Sequence, residues 1–144
     1  PTAARMKMQK GMMPMTISAV ELHLLAESMD VQLRRHTGGC PGWYDHHRRI
    51  ISTRRGQSIG QYKSVLAHEL GHAAHGDTPT GNGHFDQRQE RRADEYAAQI
   101  LINPHDFEAA AIWHHGHLPA IADELEVTQH ILKTWQSLYE RQAA

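Results

Sequence analysis

Residues 67–72 read Ala-His-Glu-Leu-Gly-His, and this stretch decides how the rest of the sequence is interpreted. It contains the pattern H-E-x-x-H, in which His68 and His72 are four positions apart. On an α-helix, residues at this spacing lie on one face, so both imidazoles can reach a single zinc ion. Glu69 lies between them, placed to take a proton from zinc-bound water. The stretch therefore predicts a helix that carries a hydrolytic zinc centre.

The surrounding residues have the periodicity of an amphipathic helix. At about 100° per residue, Leu66, Leu70 and Ala73 fall on the side opposite His68 and His72. We therefore expect the apolar side to face the core and the imidazoles to face the metal. The alternative interpretation is a helix whose two histidines merely face solvent.

A third ligand has to come from another segment of the chain. His75 shares the face of His68 but is about 10.5 Å further along the helix axis, whereas both ligands must lie about 2 Å from one ion. The longer zincin signature H-E-x-x-H-x-x-G-x-x-H is also absent, because His75 and Thr78 stand where its glycine and last histidine belong.

Glu90 is the best candidate, in a second amphipathic segment predicted over residues 87–102. Helical periodicity places Glu90 and Asp94 on the apolar stripe of this segment, which is expected to face the core. Because burying an unpaired carboxylate is costly, each needs a partner: zinc for Glu90, and the N–H of a ligand imidazole for Asp94. The alternative is a Glu90 stabilised only by the helix dipole, with Asp94 at the rim.

Composition limits the class of protein. The 144 residues suit one domain. We predict a single zincin-like metallopeptidase domain over residues 16–144, with a helical C-terminal extension from about 105 and a flexible arm over residues 1–15. The single cysteine, Cys40, rules out an internal disulfide and a cysteine-based zinc site, and it fits a cytoplasmic protein. No apolar run approaches about 18 residues, so no membrane span is expected.

The order of predicted elements indicates an α+β fold, with a small antiparallel or mixed three-stranded sheet packed on zincin-like helices and a helical C-terminal part. Its hairpin could hold an extended peptide beside the metal, or could simply be core sheet. The predicted elements are a helix at 18–29, a strand at 31–35, a hairpin at 43–52, a helix at 61–75, a connector at 78–85, and helices at 87–102, 104–115, 119–125 and 128–141.

Two motifs together resemble a known family. Residues 67–72, followed by E-x-x-A-D-x-x-A-A-x-x-L-x-x-P over residues 90–104, resemble the ImmA/IrrE-type metallopeptidases of bacteria and their mobile elements. These enzymes belong to the gluzincins. The resemblance covers roughly residues 18–105.

This resemblance implies a role for each matching residue. It implies one Zn²⁺ held by His68, His72 and Glu90, with Glu69 as catalytic base and Asp94 as the carboxylate that orients a ligand. It implies no other cofactor. The donor that stabilises the oxyanion is left open by the sequence; the candidates are Tyr44, Tyr62, His75, His84 and Tyr96.

The same resemblance implies a zinc-dependent endopeptidase whose protein substrate is a helix-turn-helix transcriptional repressor. The main alternative is a non-catalytic binding module, stapled by zinc, that sequesters a repressor. A module would not need the base Glu69, which favours the enzyme. The sequence leaves the oligomeric state open.

Charge is unevenly distributed along the chain. Residues 31–68 carry seven basic side chains against Asp45 alone, for a net +6, whereas residues 69–144 carry five basic and twelve acidic ones, for a net −7. We interpret the basic half as a solvated face; the alternative is that it attracts an acidic partner segment. A faint helix-turn-helix rhythm at 121–132 carries acidic residues that would repel phosphates, so direct nucleic-acid binding is not expected.

Overall fold

A computed structural model of the chain describes residues 16–143; the predicted N-terminal arm, residues 1–15, lies outside the described range. Within that range the chain forms three strands and six helices. In order these are α1 (Ala19–Ser28), β1 (Gln32–His36), β2 (Gly42–Asp45), β3 (Ile50–Arg54), α2 (Ile59–His75), α3 (Gly83–Leu101), α4 (Pro104–Trp113), α5 (Leu118–Glu124) and α6 (Gln129–Ala143).

Capping residues set the ends of the helices that matter for the site. The Ser58 side chain caps α2 and forms a capping box with Gln61, so this helix begins two residues before its predicted start. It ends at Gly76, whose φ of 64° is the left-handed conformation that favours glycine. The start predicted for α3 was four residues too late, because the Asn82 side chain accepts the free N–H groups of the first turn.

The three strands form a mixed sheet in the order β1-β3-β2. β1 runs parallel to the central strand β3, and β2 runs antiparallel to it as the predicted hairpin. The α+β fold with a small mixed sheet and a helical C-terminal part is therefore confirmed. Within the described residues β2 is an edge strand, paired on one side.

The apolar side of α2 is buried as its periodicity predicts: Leu66 and Leu70 are fully enclosed. On the next face α2 packs closely against α3 at Gly71. A Cβ on Gly71 would lie 2.9 Å from the Ala93 Cα and 3.1 Å from the Ala93 carbonyl oxygen. A larger residue at this position would push the two helices apart, so Gly71 permits the close contact that the site requires.

The C-terminal helices complete the core around these two helices. Lys63 of α2 is completely buried, and its Nζ lies 2.9 Å from the Glu126 carboxylate in the turn before α6. Leu132 and Trp135 of α6 are buried in the same core. No helix in residues 16–143 has the length and apolar character needed to cross a membrane.

Candidate metal centre

The imidazoles of His68 and His72 lie one turn apart on α2 and face a common point. Their ring centroids are 4.8 Å apart and the rings are nearly perpendicular, at 87°. One nitrogen of each ring and one Glu69 oxygen lie within 4.8 Å of one another. His72 is buried and His68 is mostly buried, which argues against two histidines that merely face solvent.

The Glu90 carboxylate bridges the two rings from α3. Its Oε2 lies 2.7 Å from His68 Nε2 and its Oε1 lies 3.2 Å from His72 Nε2. The structure thus brings together the three groups that the sequence proposed as ligands. The expected burial of Glu90 was wrong, because its side chain is 61% exposed. The core contacts of α3 begin one turn later, at Ala93, and Glu90 faces an open cleft.

Both imidazoles are also hydrogen-bonded through their second nitrogen. His68 Nδ1 lies 2.7 Å from Asp94 Oδ1, and His72 Nδ1 lies 2.9 Å from Asp77 Oδ2. Since an ionised carboxylate can only accept, each Nδ1 is assigned as the donor. Both Nε2 atoms then point towards Glu90. In the metal-free protein His68 Nε2 donates a hydrogen bond to Glu90 Oε2, and a bound metal ion would take the place of that proton.

Asp77 is one contact that the sequence interpretation missed, and the contact of His130 with Asp94 is another. Asp77 follows Gly76, outside the helix, so helical periodicity could not link it to His72 five positions earlier. Its Oδ1 accepts a hydrogen bond from Arg92 Nη2 at 2.7 Å, and its side chain is 4% exposed. The available signal was an aspartate directly after a helix-ending glycine, close in sequence to the motif.

The cleft beside these groups has a volume of about 560 Å³ and is lined by α2, α3, β2 and the start of α6. From α6, His130 Nε2 lies 2.7 Å from Asp94 Oδ2, the carboxylate oxygen that His68 leaves free. Of the five oxyanion candidates, Tyr44 alone lines the cleft. His75 is directed elsewhere, with Nδ1 bonded to the Gly71 carbonyl at 2.7 Å.

The edge strand β2 forms one wall of the cleft, and the strand register shows which backbone groups face outwards. The Arg54 N–H donates to the Pro41 carbonyl at 2.8 Å. Hydrogen-bonded and non-bonded pairs alternate along an antiparallel ladder, so Trp43 bonds to β3. The N–H and C=O groups of Gly42 and Tyr44 therefore point towards the free edge.

Burial and the neighbouring imidazoles act in opposite directions on Glu69. Burial raises the pKa of its carboxyl group, and the positive charges of His68 and His72 lower it; the pKa is raised overall. A carboxylate with a raised pKa is a better proton acceptor than an exposed one. Glu69 makes no side-chain hydrogen bond within the described residues.

His68 and Asp94 stabilise each other's charged forms. Burial alone would lower the pKa of His68, but the hydrogen bond to Asp94 and the charges of Glu69, Asp94 and Glu90 raise it to about 9. Burial would raise the pKa of Asp94, but the hydrogen bonds from His68 and His130 lower it overall. The pair therefore remains a strong hydrogen bond across the neutral range.

The donor set fits a zinc ion. Two imidazole nitrogens with oriented rings and one carboxylate are a ligand set that zinc accepts, and it leaves a further position open for chemistry. Both Glu69 and Glu90 come close to the rings. Glu69 lies within 4.8 Å of one nitrogen of each ring, and Glu90 contacts the Nε2 atoms of both rings, so either carboxylate is near enough to complete the set.

An H-E-x-x-H helix beside a small mixed sheet, with a carboxylate supplied by the following helix, defines a zincin-like metallopeptidase. The chain belongs to peptidase family M78: the family model described as the IrrE N-terminal-like domain matches residues 24–134. Members of this family are zinc metallopeptidases. A comparison with curated proteins found no match.

Proposed function

We propose that this protein is a zinc-dependent endopeptidase that cuts a protein substrate in the cleft between β2 and α3. One observation carries the proposal: Glu90 contacts the Nε2 atoms of both His68 and His72, while Glu69 lies beside the same pair without a hydrogen-bond partner among residues 16–143. A site that served only to join two helices would have no use for the extra buried carboxylate.

His68, His72 and Glu90 would hold the zinc ion. When bound, zinc supplies a Lewis acid that polarises the peptide carbonyl and makes the attacking water more acidic. Glu69 accepts the proton released by this water and passes it to the leaving amine. Asp94 keeps the His68 ring in the tautomer whose Nε2 faces the ion.

The free edge of β2 offers a way to hold the substrate. An extended peptide can pair with the outward backbone groups of Gly42 and Tyr44 and so lie across the cleft. Gly42 is suited to this position because a Cβ there would overlap Val65 Cγ1 and come 3.5 Å from Glu69 Cγ. The absence of a side chain lets the strand approach α2 next to the proposed base.

A repressor with a helix-turn-helix domain is the substrate that we infer, from the family resemblance of the two motifs. Its cleavage would release silenced genes, and the activity would then be cytoplasmic. The test is incubation of the zinc-loaded protein with the repressor encoded beside its gene, followed by mass spectrometry. A stable complex without cut products would favour the sequestering module instead.

The Glu69→Gln variant separates catalysis from zinc binding. Because glutamine keeps the size of the side chain but cannot accept the proton, we expect cleavage to fall about 10²- to 10⁴-fold. Zinc content should remain that of the wild type. Equal cleavage by this variant would refute the role of Glu69 as the base.

The role of the edge strand can be tested with a glycine pair. Gly42→Ala should reduce kcat/KM at least about tenfold and leave zinc affinity unchanged, since the added methyl displaces β2 and not the ligands. Gly83→Ala is the matched control, because a Cβ at Gly83 meets no atom within 4 Å. If both variants cut equally well, the substrate does not depend on β2.

A further inference from the structure

Arg92 and Asp77 connect α3 to the second imidazole of the site. Asp77 uses both of its carboxylate oxygens, Oδ2 for His72 Nδ1 at 2.9 Å and Oδ1 for Arg92 Nη2 at 2.7 Å. We propose that Asp77 and Arg92 are a pair of positioning residues for the metal centre: Asp77 fixes the His72 ring, and Arg92 fixes Asp77. The inference rests on the proposed zinc site.

The backbone around Asp77 is fixed as well. Its N–H donates to the His72 carbonyl at 2.9 Å, and Gly76 before it has the left-handed conformation that ends α2. The Asp77 side chain therefore turns back along the helix towards the imidazole that it serves. Because the side chain is 4% exposed, water cannot replace either of its two donors at low cost.

Arg92 supplies the positively charged hydrogen-bond donor that a buried Asp77 would otherwise lack. It lies on α3, two positions after Glu90 and two before Asp94, and its side chain is half exposed. A planar guanidinium paired with a carboxylate holds that carboxylate in one orientation. One helix thus provides a ligand, the orienting carboxylate of His68, and the anchor for the orienting carboxylate of His72.

The two halves of the site follow the same plan. Each imidazole donates Nδ1–H to an aspartate, and a basic side chain bonds the second oxygen of that aspartate: His130 for Asp94 and Arg92 for Asp77. Losing an orienting partner of this kind typically lowers metal affinity about 10- to 100-fold. The pair is therefore expected to act on zinc affinity, beyond any contribution to folding.

The experiment measures the affinity of the full chain for Zn²⁺ by competition with a chromophoric chelator. Asp77→Ala should weaken zinc binding about 10- to 100-fold. Arg92→Met, which keeps the apolar stem, should weaken it about 3- to 10-fold, and Arg92→Lys should recover part of that loss. The matched control is Arg91→Met, a neighbouring exposed arginine that makes no ion pair among the described residues, and it should leave the affinity unchanged.

A double variant tests whether Arg92 acts through Asp77. If it does, the double variant Asp77→Ala/Arg92→Met should bind zinc no more weakly than Asp77→Ala alone. Without the Asp77 carboxylate, the Arg92 side chain has no group to hold in place, so its removal has no further effect. The visible spectrum of the Co²⁺-loaded Arg92→Met protein should also change, since the His72 ring can tilt. A residue that merely stabilises the fold would move neither measurement.

The outcomes separate this inference from the proposed function. The positioning role is overturned if folded Arg92→Met and folded Asp77→Ala both bind zinc within twofold of the wild-type affinity. If Asp77→Ala does not fold, the same result for folded Arg92→Met alone overturns it. If the variants weaken zinc binding as expected but the wild type cuts no substrate, the pair stands and the peptidase proposal fails. A wild type that binds no zinc overturns both.

Discussion

As whole residues, Asp77 and Asp106 are buried almost equally, at 7% and 4% exposure, yet their surroundings differ completely. Asp77, beside the metal site, has a donor on each carboxylate oxygen. Asp106, in the first turn of α4, has no hydrogen-bond partner on either oxygen among the described residues. The contrast shows two ways in which this fold accommodates an enclosed carboxyl group.

In the first way, hydrogen-bond donors pair with both carboxylate oxygens. In the second way, the pKa is raised, which favours the neutral form of the carboxyl group. Burial raises the pKa of Asp106, an effect that the nearby charge of His105 only partly opposes. The helix dipole favours an anion at this position by about 0.3–1 kcal/mol, which is less than the typical penalty of about 1–3 kcal/mol for an unpaired buried polar group. The paired carboxylate of Asp77 can orient His72, whereas the unpaired carboxyl group of Asp106 lowers the stability of the fold.

The largest effect on stability is expected from removing the paired carboxylate. Asp77→Ala leaves the Nδ1–H of His72 buried without a partner and frees Arg92. The unfolding free energy of the metal-free protein should fall by about 1–3 kcal/mol, as measured by urea denaturation. An unchanged denaturation midpoint would show that the pairing contributes nothing to the fold.

Asp94→Ala should destabilise the metal-free protein less, by about 1 kcal/mol or below. The partners that it leaves behind are more accessible to water, with side-chain exposure of 19% for His68 and 70% for His130. The same urea titration measures the difference. A larger loss for Asp94→Ala than for Asp77→Ala would contradict the importance given to burial.

Asp106→Asn should have the opposite sign and stabilise the protein by about 1 kcal/mol at neutral pH, because it removes a charge that burial disfavours. Thermal melting of both proteins at pH 7.5 checks this expectation. Glu108→Gln on the exposed side of α4 is the control and should change the melting temperature little.

The benefit of Asp106→Asn should depend on pH, and this is the smallest effect expected. Since the folded-state pKa of Asp106 is raised above its ordinary value of 3.8, the folded state holds the proton more strongly than the unfolded state does. The contribution of Asp106 to wild-type stability therefore falls as pH rises through that interval and then becomes level. The stability difference between variant and wild type should shrink as the pH is lowered towards 4, and a constant difference would exclude titration of Asp106 as its cause.

Much of the candidate site was predictable because it depends on spacing along helices. The four-residue interval between His68 and His72 and the one between Glu90 and Asp94 place each pair on one helical face. The Asp77–Arg92 bond was not predictable from spacing, since it joins a loop residue to another helix. The exposure of Glu90 was misjudged because an apolar stripe indicates a direction and not where the packed core ends.

The sequence by itself determined the helices and the pairs of reactive groups on them, because covalent geometry and backbone hydrogen bonding act over a few residues. The tertiary structure alone decided that the two pairs meet. The close contact of Gly71 with Ala93 brings α2 and α3 together, and the turn at Gly76 directs Asp77 back to His72. Distances between elements depend on how their surfaces pack, and no local spacing encodes them.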